Sequence, residues 1–196
     1  LPLPVMSGSV NFSSNTGYSK TKQFINATEN IIHTFTLGPT LRFDFNPSEK
    51  VDFSIGAGFS HNQSAYSLQS AFNTRYLSQQ YEGALKWELP AGFYFSNHFT
   101  YTINSNRAEG FNIRVPLWNV SFSRQFLRFN RGELKLSVFD LLNKNVDISR
   151  STNQNYIEDS RTQSLKRFLL LSFTYSLSKN GLSKEARKGD VKMIRP

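Results

Sequence analysis

The stretch RFLLLSFTYSL, Arg167–Leu177, alternates between two kinds of side chain. Every second residue from Leu169 to Leu177 is apolar or aromatic, and the residues between them become small and polar toward the C-terminal end. Successive side chains of a β-strand point to opposite sides of the sheet, so one side of this strand favours a nonaqueous environment. A strand of this length, tilted by about 40°, spans roughly 25–28 Å, which is close to the apolar band of a membrane β-barrel.

Weaker copies of this alternation recur along the chain and predict about eight strands, without helical periodicity. The expected strands are residues 5–19, 31–46, 51–66, 75–89, 93–104, about 111–126, a strand that starts at 133, and 167–177. Pro39 lies inside the second strand, where it removes a backbone donor. The alternation blurs at Phe139–Asn143, where we expect a bulge or a bend.

The connections between these strands alternate in length. Those after the second, fourth and sixth strands are short: Asn46–Glu49, Pro90–Gly92 and Arg128–Gly132. Those after the odd-numbered strands are longer and polar, and include residues 20–30 and 146–161. Short turns at one rim and long loops at the other are typical of outer-membrane barrels, whose short turns are periplasmic. The fold class predicted is therefore an all-β, antiparallel transmembrane β-barrel of up-and-down strands.

Two further groups of side chains follow from the same pattern. Aromatic residues near the short-turn rim form a candidate interfacial girdle: Phe43, Phe45, Trp87, Phe93 and Phe95. Charged residues share the face of the Ser, Thr and Gly residues: Arg42, Asp44, Asp52, Glu82, Lys86 and Glu88. Burying so many charges in an apolar core would cost several kcal/mol each, so we expect this face to line a polar lumen. The opposite face then contacts lipid.

The composition limits the classes of protein that remain. The 196 residues suit one domain, carry a net charge of +9, and include no cysteine, which excludes disulfides and thiolate metal sites. The longest apolar run, Phe168–Leu171, is too short for a transmembrane helix. We expect barrel strands over 1–177 and a basic periplasmic tail over 178–196, either solvated or in contact with anionic headgroups or a partner. No motif of a nucleic-acid-binding module occurs.

No group of residues predicts catalysis. The three histidines, His33, His61 and His98, are far apart and have no acidic neighbour at ligand spacing, and no G-x-S-x-G occurs. The sequence therefore predicts a protein that is not an enzyme, without a cofactor or a metal.

Four stretches resemble the outer membrane β-barrel family allied to TonB-dependent receptors. They are LKLSVFDLLNKN (Leu134–Asn145), NYIEDSRTQSLKRFLLLSFTYSL (Asn155–Leu177), RVPLWNVSFSRQFL (Arg114–Leu127) and ELPAGFYFSNHFTYT (Glu88–Thr102). The resemblance implies a large barrel with an N-terminal plug and energised uptake of scarce nutrients such as chelated iron or glycans. It also implies that the last strand is an assembly signal, with Leu169, Leu171, Phe173, Tyr175 and Leu177 facing lipid.

The chain departs from that family in two ways. It contains no plug or partner-binding box, and 19 residues follow Leu177, where the family usually ends on an aromatic residue. We therefore expect the last eight strands of a larger barrel, or one half of a split one. The expected partners are outer-membrane lipid, the remaining strands or other subunits, an energising periplasmic protein and a surface lipoprotein. The alternatives are a complete eight-stranded barrel for anchoring or adhesion, a soluble ligand-binding barrel, and an outer-membrane enzyme.

Overall fold

The chain folds into one up-and-down antiparallel sheet. A computed structural model describes residues 2–3, 7–68, 70–105, 112–152, 157–162 and 165–177, with only the backbone described at 2–3, 147–152, 157–159 and 161. The strands are β1 (Pro2–Leu3), β2 (Gly8–Ile25), β3 (Thr28–Ser48), β4 (Val51–Tyr66), β5 (Thr74–Leu89), β6 (Phe93–Ser105), β7 (Arg114–Phe126), β8 (Gly132–Phe139), β9 (Asp147–Thr152), β10 (Ile157–Thr162) and β11 (Phe168–Tyr175). No helix in these residues is long and apolar enough to cross a membrane.

The sheet order confirms the predicted succession of eight antiparallel strands. The larger sheet runs β1-β2-β3-β4-β5-β6-β7-β8-β11: each strand from β1 to β7 pairs with the next along the chain, and β8 pairs with β11. Within the described residues, β2 pairs only with β1 and β3, and β11 pairs only with β8. A direct ladder between residues 10–14 and 169–173, which would close eight strands into a barrel, is thus not observed there.

The first hairpin corrects the predicted loop over residues 20–30. β2 and β3 continue through most of that segment and are joined by a tight turn at Asn26 and Ala27, whose φ angles are 48° and 63°. Asn tolerates this left-handed conformation, which hairpin turns of two residues require. The segment is polar, and Lys22 Nζ forms a cross-strand ion pair with Glu29 Oε1 at 2.7 Å. The polar composition of this segment therefore led to a wrong prediction of a loop, because strand pairing through the backbone does not require apolar side chains.

The segment between β8 and β11 corrects a second predicted loop, over residues 146–161. It contains β9 and β10, which pair with each other as a separate two-stranded sheet. Neither strand shows the apolar alternation from which the other strands were predicted. The start of the predicted sixth strand near Phe111 and the basic tail over 178–196 lie outside the described residues.

Pro39 is accommodated by a local interruption of the sheet. It pairs with Ser14 of β2, whereas the ladder to β4 stops at Leu37 and resumes at Thr40 in the same register. A proline cannot donate a backbone hydrogen bond, so the gap lies where its donor would be needed.

The predicted bend at Phe139–Asn143 is confirmed as a compact turn that ends β8. Asp140 is buried and has a φ of 50°. Its carboxylate accepts hydrogen bonds from the backbone N–H groups of Lys144 and Asn145, both at 2.9 Å. The backbone N–H of Asp140 donates to Asn119 Oδ1 of β7 at 2.9 Å. These bonds tie the turn to the neighbouring strand.

The sheet lacks the apolar core of a soluble domain. Among the described residues, only Ile32 and Tyr66 are buried hydrophobic side chains. The buried polar residues are more numerous: Asn30, Ser54, Asn104, Ser123, Gln125, Ser137 and Asp140. Buried groups are normally apolar in a water-soluble protein, so this distribution is inverted.

Candidate functional site: a charged cluster on the polar face

The predicted lumen residues lie on one face of β3, β4 and β5. In the sheet register, Arg42 of β3 is opposite Gly56 of β4, which is in turn opposite Glu82 of β5. Asp52 of β4 is directly opposite Lys86 of β5. Asp44 and Glu88 share this face, because each lies two residues along its strand from Arg42 and Lys86. The six charged residues predicted from sequence therefore share one side of three adjacent strands.

Arg42 is the centre of the cluster. Its Nε donates to Asp44 Oδ1 at 2.8 Å, its Nη1 donates to Glu82 Oε1 at 2.6 Å, and its Nη2 donates to Ser54 Oγ at 3.0 Å. The guanidinium group thus links its own strand to both β4 and β5. Charge-assisted hydrogen bonds of this kind are shorter and stronger than neutral ones.

Gly56 makes the link between Arg42 and Glu82 sterically feasible. The two residues lie on strands separated by β4, so their backbones are about 10 Å apart. A Cβ atom at Gly56 would lie 2.9 Å from Oε1 and 3.0 Å from Cγ of Glu82. The missing side chain leaves a channel across β4 through which the two long side chains meet.

The cluster extends to a fourth strand. Asn11 of β2 donates from Nδ2 to Asp44 Oδ2 at 3.2 Å. From the sequence alone, Asn11, Ser54 and Gly56 were not assigned to the site, because single small or polar residues are common in this chain. One sequence feature could have indicated the cluster: Arg42 and Asp44 lie two residues apart on one face, and the facing strand has a glycine at the position opposite Arg42.

The chemistry of the cluster suits contact with water and polar solutes. Arg42 carries one positive charge, and Asp44 with Glu82 carry two negative charges, which leaves one net negative charge. All three side chains remain partly exposed. Among the described residues, no three His, Cys, Asp or Glu side chains are grouped so that they could hold a metal ion.

The opposite face presents apolar side chains to its surroundings. On β11 and just beyond it, Leu169, Leu171, Phe173, Tyr175 and Leu177 are between 49% and 88% exposed. On the facing strand β8, Leu134 and Leu136 are exposed too and pair with Phe173 and Leu171. These exposed side chains form a continuous apolar patch, and we call the side of the whole sheet that carries it the outer face.

The predicted girdle residues also lie on the outer face, near the short turns. The rings of Phe43 and Phe45 stack with centroids 6.1 Å apart, and Phe93 stacks on Phe122 at 5.4 Å. Trp87 and Phe95 are register partners next to the turn at 90–92.

The polar residue Asn97 lies on the outer face and has its own hydrogen-bond partner. Asn97 of β6 accepts a hydrogen bond at Oδ1 from the indole Nε1 of Trp118 on β7. In a hydrocarbon environment every polar group must find such a partner within the protein.

An antiparallel sheet with an exposed apolar side and an opposite polar side defines the wall of a membrane β-barrel. A family model supports this class: the outer membrane protein beta-barrel family matches residues 7–175. The chain belongs to this family and is located in the bacterial outer membrane. Searches of curated proteins and of solved structures gave no significant match.

Proposed function

We propose that the chain forms part of the barrel of an outer-membrane transporter allied to TonB-dependent receptors. In this proposal the polar face lines a passage for nutrients such as chelated iron or glycans, and the outer face contacts lipid. The protein has no enzymatic role. The observation that carries the proposal is the opposite polarity of the two faces, with the Arg42 cluster on the side away from lipid.

The half-exposed Arg42 cluster supports a water-filled lumen. Its residues keep solvent contact, which an apolar core would remove at a cost of several kcal/mol for each charge. A lumen wide enough for water avoids this cost and also allows hydrogen bonding to polar solutes. Asp44 and Glu82 add negative charge that would favour cationic or hydroxyl-rich groups.

The absence of a ladder between β2 and β11 in the described residues supports a larger barrel. Among the described residues, β2 pairs with β1 and β3, and β11 pairs with β8. The strands β2 and β11 do not pair with each other there. In hydrocarbon, each backbone group without a hydrogen-bond partner costs several kcal/mol, so we expect further strands to pair along β2 and β11. A barrel closed by eight strands would have an interior filled by side chains, too narrow for nutrient transport. Further partners in this proposal are an energising periplasmic protein and a surface lipoprotein.

The first hairpin favours a second candidate function, that of a complete small barrel used for anchoring or adhesion. β2 and β3 contain 18 and 21 residues. At about 3.3 Å per residue and a tilt of about 40°, such strands extend well beyond an apolar band of about 25 Å. The exposed Tyr18 and Phe24 lie on this projecting hairpin and could contact another surface.

Cysteine cross-linking in outer membranes distinguishes these two architectures. Because the chain has no cysteine, the pair Phe12→Cys and Leu171→Cys reports only on contact between β2 and β11. The control pair Leu136→Cys and Leu171→Cys joins register partners and should form a disulfide in either architecture. We expect a disulfide in the control pair only, and a disulfide between residues 12 and 171 would contradict the larger barrel.

Growth of a deletion strain tests transport. We expect loss of growth on at least one member of a panel of ferric chelates and oligosaccharides, supplied as the sole iron or carbon source. The wild-type gene should restore growth, and removal of the proton-motive force should abolish uptake. Unchanged growth on the whole panel would contradict the proposed transport.

A further inference from the structure

The turn between β7 and β8 concentrates positive charge around one aromatic ring. The guanidinium carbon of Arg128 lies 5.1 Å from the ring centroid of Phe129, and that of Arg131 lies 5.9 Å from it. On the outer face of β7, Arg124 lies over Phe93 at 5.0 Å. Three cations are thus held by aromatic rings at the short-turn rim.

These arginines lack counter-charges within the described part of the chain. The geometry of the described residues gives Arg124, Arg128 and Arg131 no ion pair, whereas Lys22 and Arg42 each form one or more. The nearest carboxylate in the sequence, Glu133, is on the polar face, where its register partners are Gln125 and Thr174. Arg131 Nε is shielded from solvent and has no hydrogen-bond partner among the described residues. The rim therefore offers guanidinium donors without an acceptor.

An open cavity adjoins these donors. It has a volume of about 410 Å³ and is lined by Leu127, Arg128, Phe129, Arg131 and Tyr175. The backbone N–H of Ser176 donates to the carbonyl of Arg131 at 2.8 Å, which ties the turn to the end of β11. Leu127, Phe129 and Tyr175 are exposed, so the cavity combines apolar walls with cationic groups.

We propose that this turn binds the phosphate group of an anionic phospholipid in the periplasmic leaflet. An arginine side chain can donate two parallel hydrogen bonds to phosphate oxygens. Three arginines without acidic partners are therefore suited to bind a phosphate group. The exposed apolar walls fit the first segment of an acyl chain, and amphipathic side chains of this kind are enriched at the level of the headgroups. The choice of leaflet rests on the proposed function together with the periplasmic orientation that the sequence predicts for the short turns.

Lipid retention by the full-length protein tests the site. The protein is reconstituted in nanodiscs of mixed phosphatidylcholine and phosphatidylglycerol, and the lipids that remain bound are identified by native mass spectrometry. We expect wild type to retain phosphatidylglycerol selectively. The variant R128Q/R131Q should lower that enrichment by about fivefold for each arginine removed. R128K/R131K should restore part of it, because lysine keeps the charge but not the planar fork.

A matched control removes the same charge elsewhere. Arg75 and Arg114 are exposed at the opposite ends of their strands, on the outer face. R75Q/R114Q should leave the enrichment unchanged, and an equal loss would show a general effect of net charge and overturn the site. Equal retention of the two lipids by wild type would also overturn it, as would stronger retention of lipid A when lipid A is added to the same nanodiscs in an amount equal to phosphatidylglycerol. A failed growth test with intact lipid selectivity would instead overturn the transport function alone.

Discussion

The two sides of the same strand differ in a way that reverses the rule for soluble proteins. On β8, Ser137 is 6% exposed, while its neighbour Leu136, on the other side, is 47% exposed. β7 repeats the contrast with the buried Ser123 and the exposed Phe122. In water, each Å² of apolar surface left exposed would lose about 25 cal/mol of the stabilising free energy that burial provides. In lipid that penalty is absent, so the difference between the faces reports the medium on each side.

The strongest way to break this contrast is to place a charge on the outer face. Leu171→Arg should lower the free energy of unfolding by about 2–4 kcal/mol, the cost of an arginine near the middle of the apolar band. The measurement is a urea titration of the full-length protein folding into phosphatidylcholine vesicles. Leu170→Arg is the matched control, because Leu170 is the adjacent residue on the polar face, opposite Ser137. Similar losses for both variants would mean that β11 does not separate lipid from water.

A smaller effect should follow from filling the channel across β4. Gly56→Val should destabilise the protein by about 1–2 kcal/mol, because the new side chain would displace Glu82 from Arg42. Gly83→Val serves as the control, since a Cβ atom there meets no described atom within 4 Å and the residue lies on the outer face. Both variants are compared in the same urea titration. A Gly56 variant as stable as the Gly83 variant would rule out a tightly packed cluster.

Removing one charge of the cluster should have a still smaller effect on stability. Glu82→Gln keeps the shape of the side chain but weakens its bond to Arg42, so we expect a loss of about 0.5–1 kcal/mol. The same titration, repeated at high salt, should show a smaller difference from wild type. Glu133→Gln is the control, as Glu133 shares the polar face but is outside the Arg42 cluster. A salt-independent loss would indicate a packing effect instead.

The smallest effect is expected in the projecting part of the first hairpin. Lys22 and Glu29 form an ion pair on exposed strands, and such pairs contribute about 0.2–1 kcal/mol. A double-mutant cycle of Lys22→Ala and Glu29→Ala should give a coupling energy at the lower end of this range. A coupling energy above this range would mean that the pair lies in a less polar environment than water. The part of the hairpin that projects from the membrane would then be shorter than proposed.

The alternation of side chains was sufficient to predict the strands that have two different faces. Residues 51–66 and 93–104 alternate clearly, and the structure places strands there with nearly the same bounds. The prediction failed at residues 20–30 and 146–161, where polar strands pair through backbone hydrogen bonds that leave no periodic signal. The polar composition of these two segments indicates contact with water. It does not indicate that a strand is absent.

The sequence by itself determined the class of protein: a chain whose strands are apolar on one side and polar on the other, as in Leu171 and Ser172. This much is local, because side chains alternate across any β-strand. Only the tertiary structure decided which residues meet. Arg42 and Glu82 are 40 positions apart, and their contact across Gly56 depends on the register of β3, β4 and β5. Register arises from pairing between strands, so no single strand contains the information that specifies it.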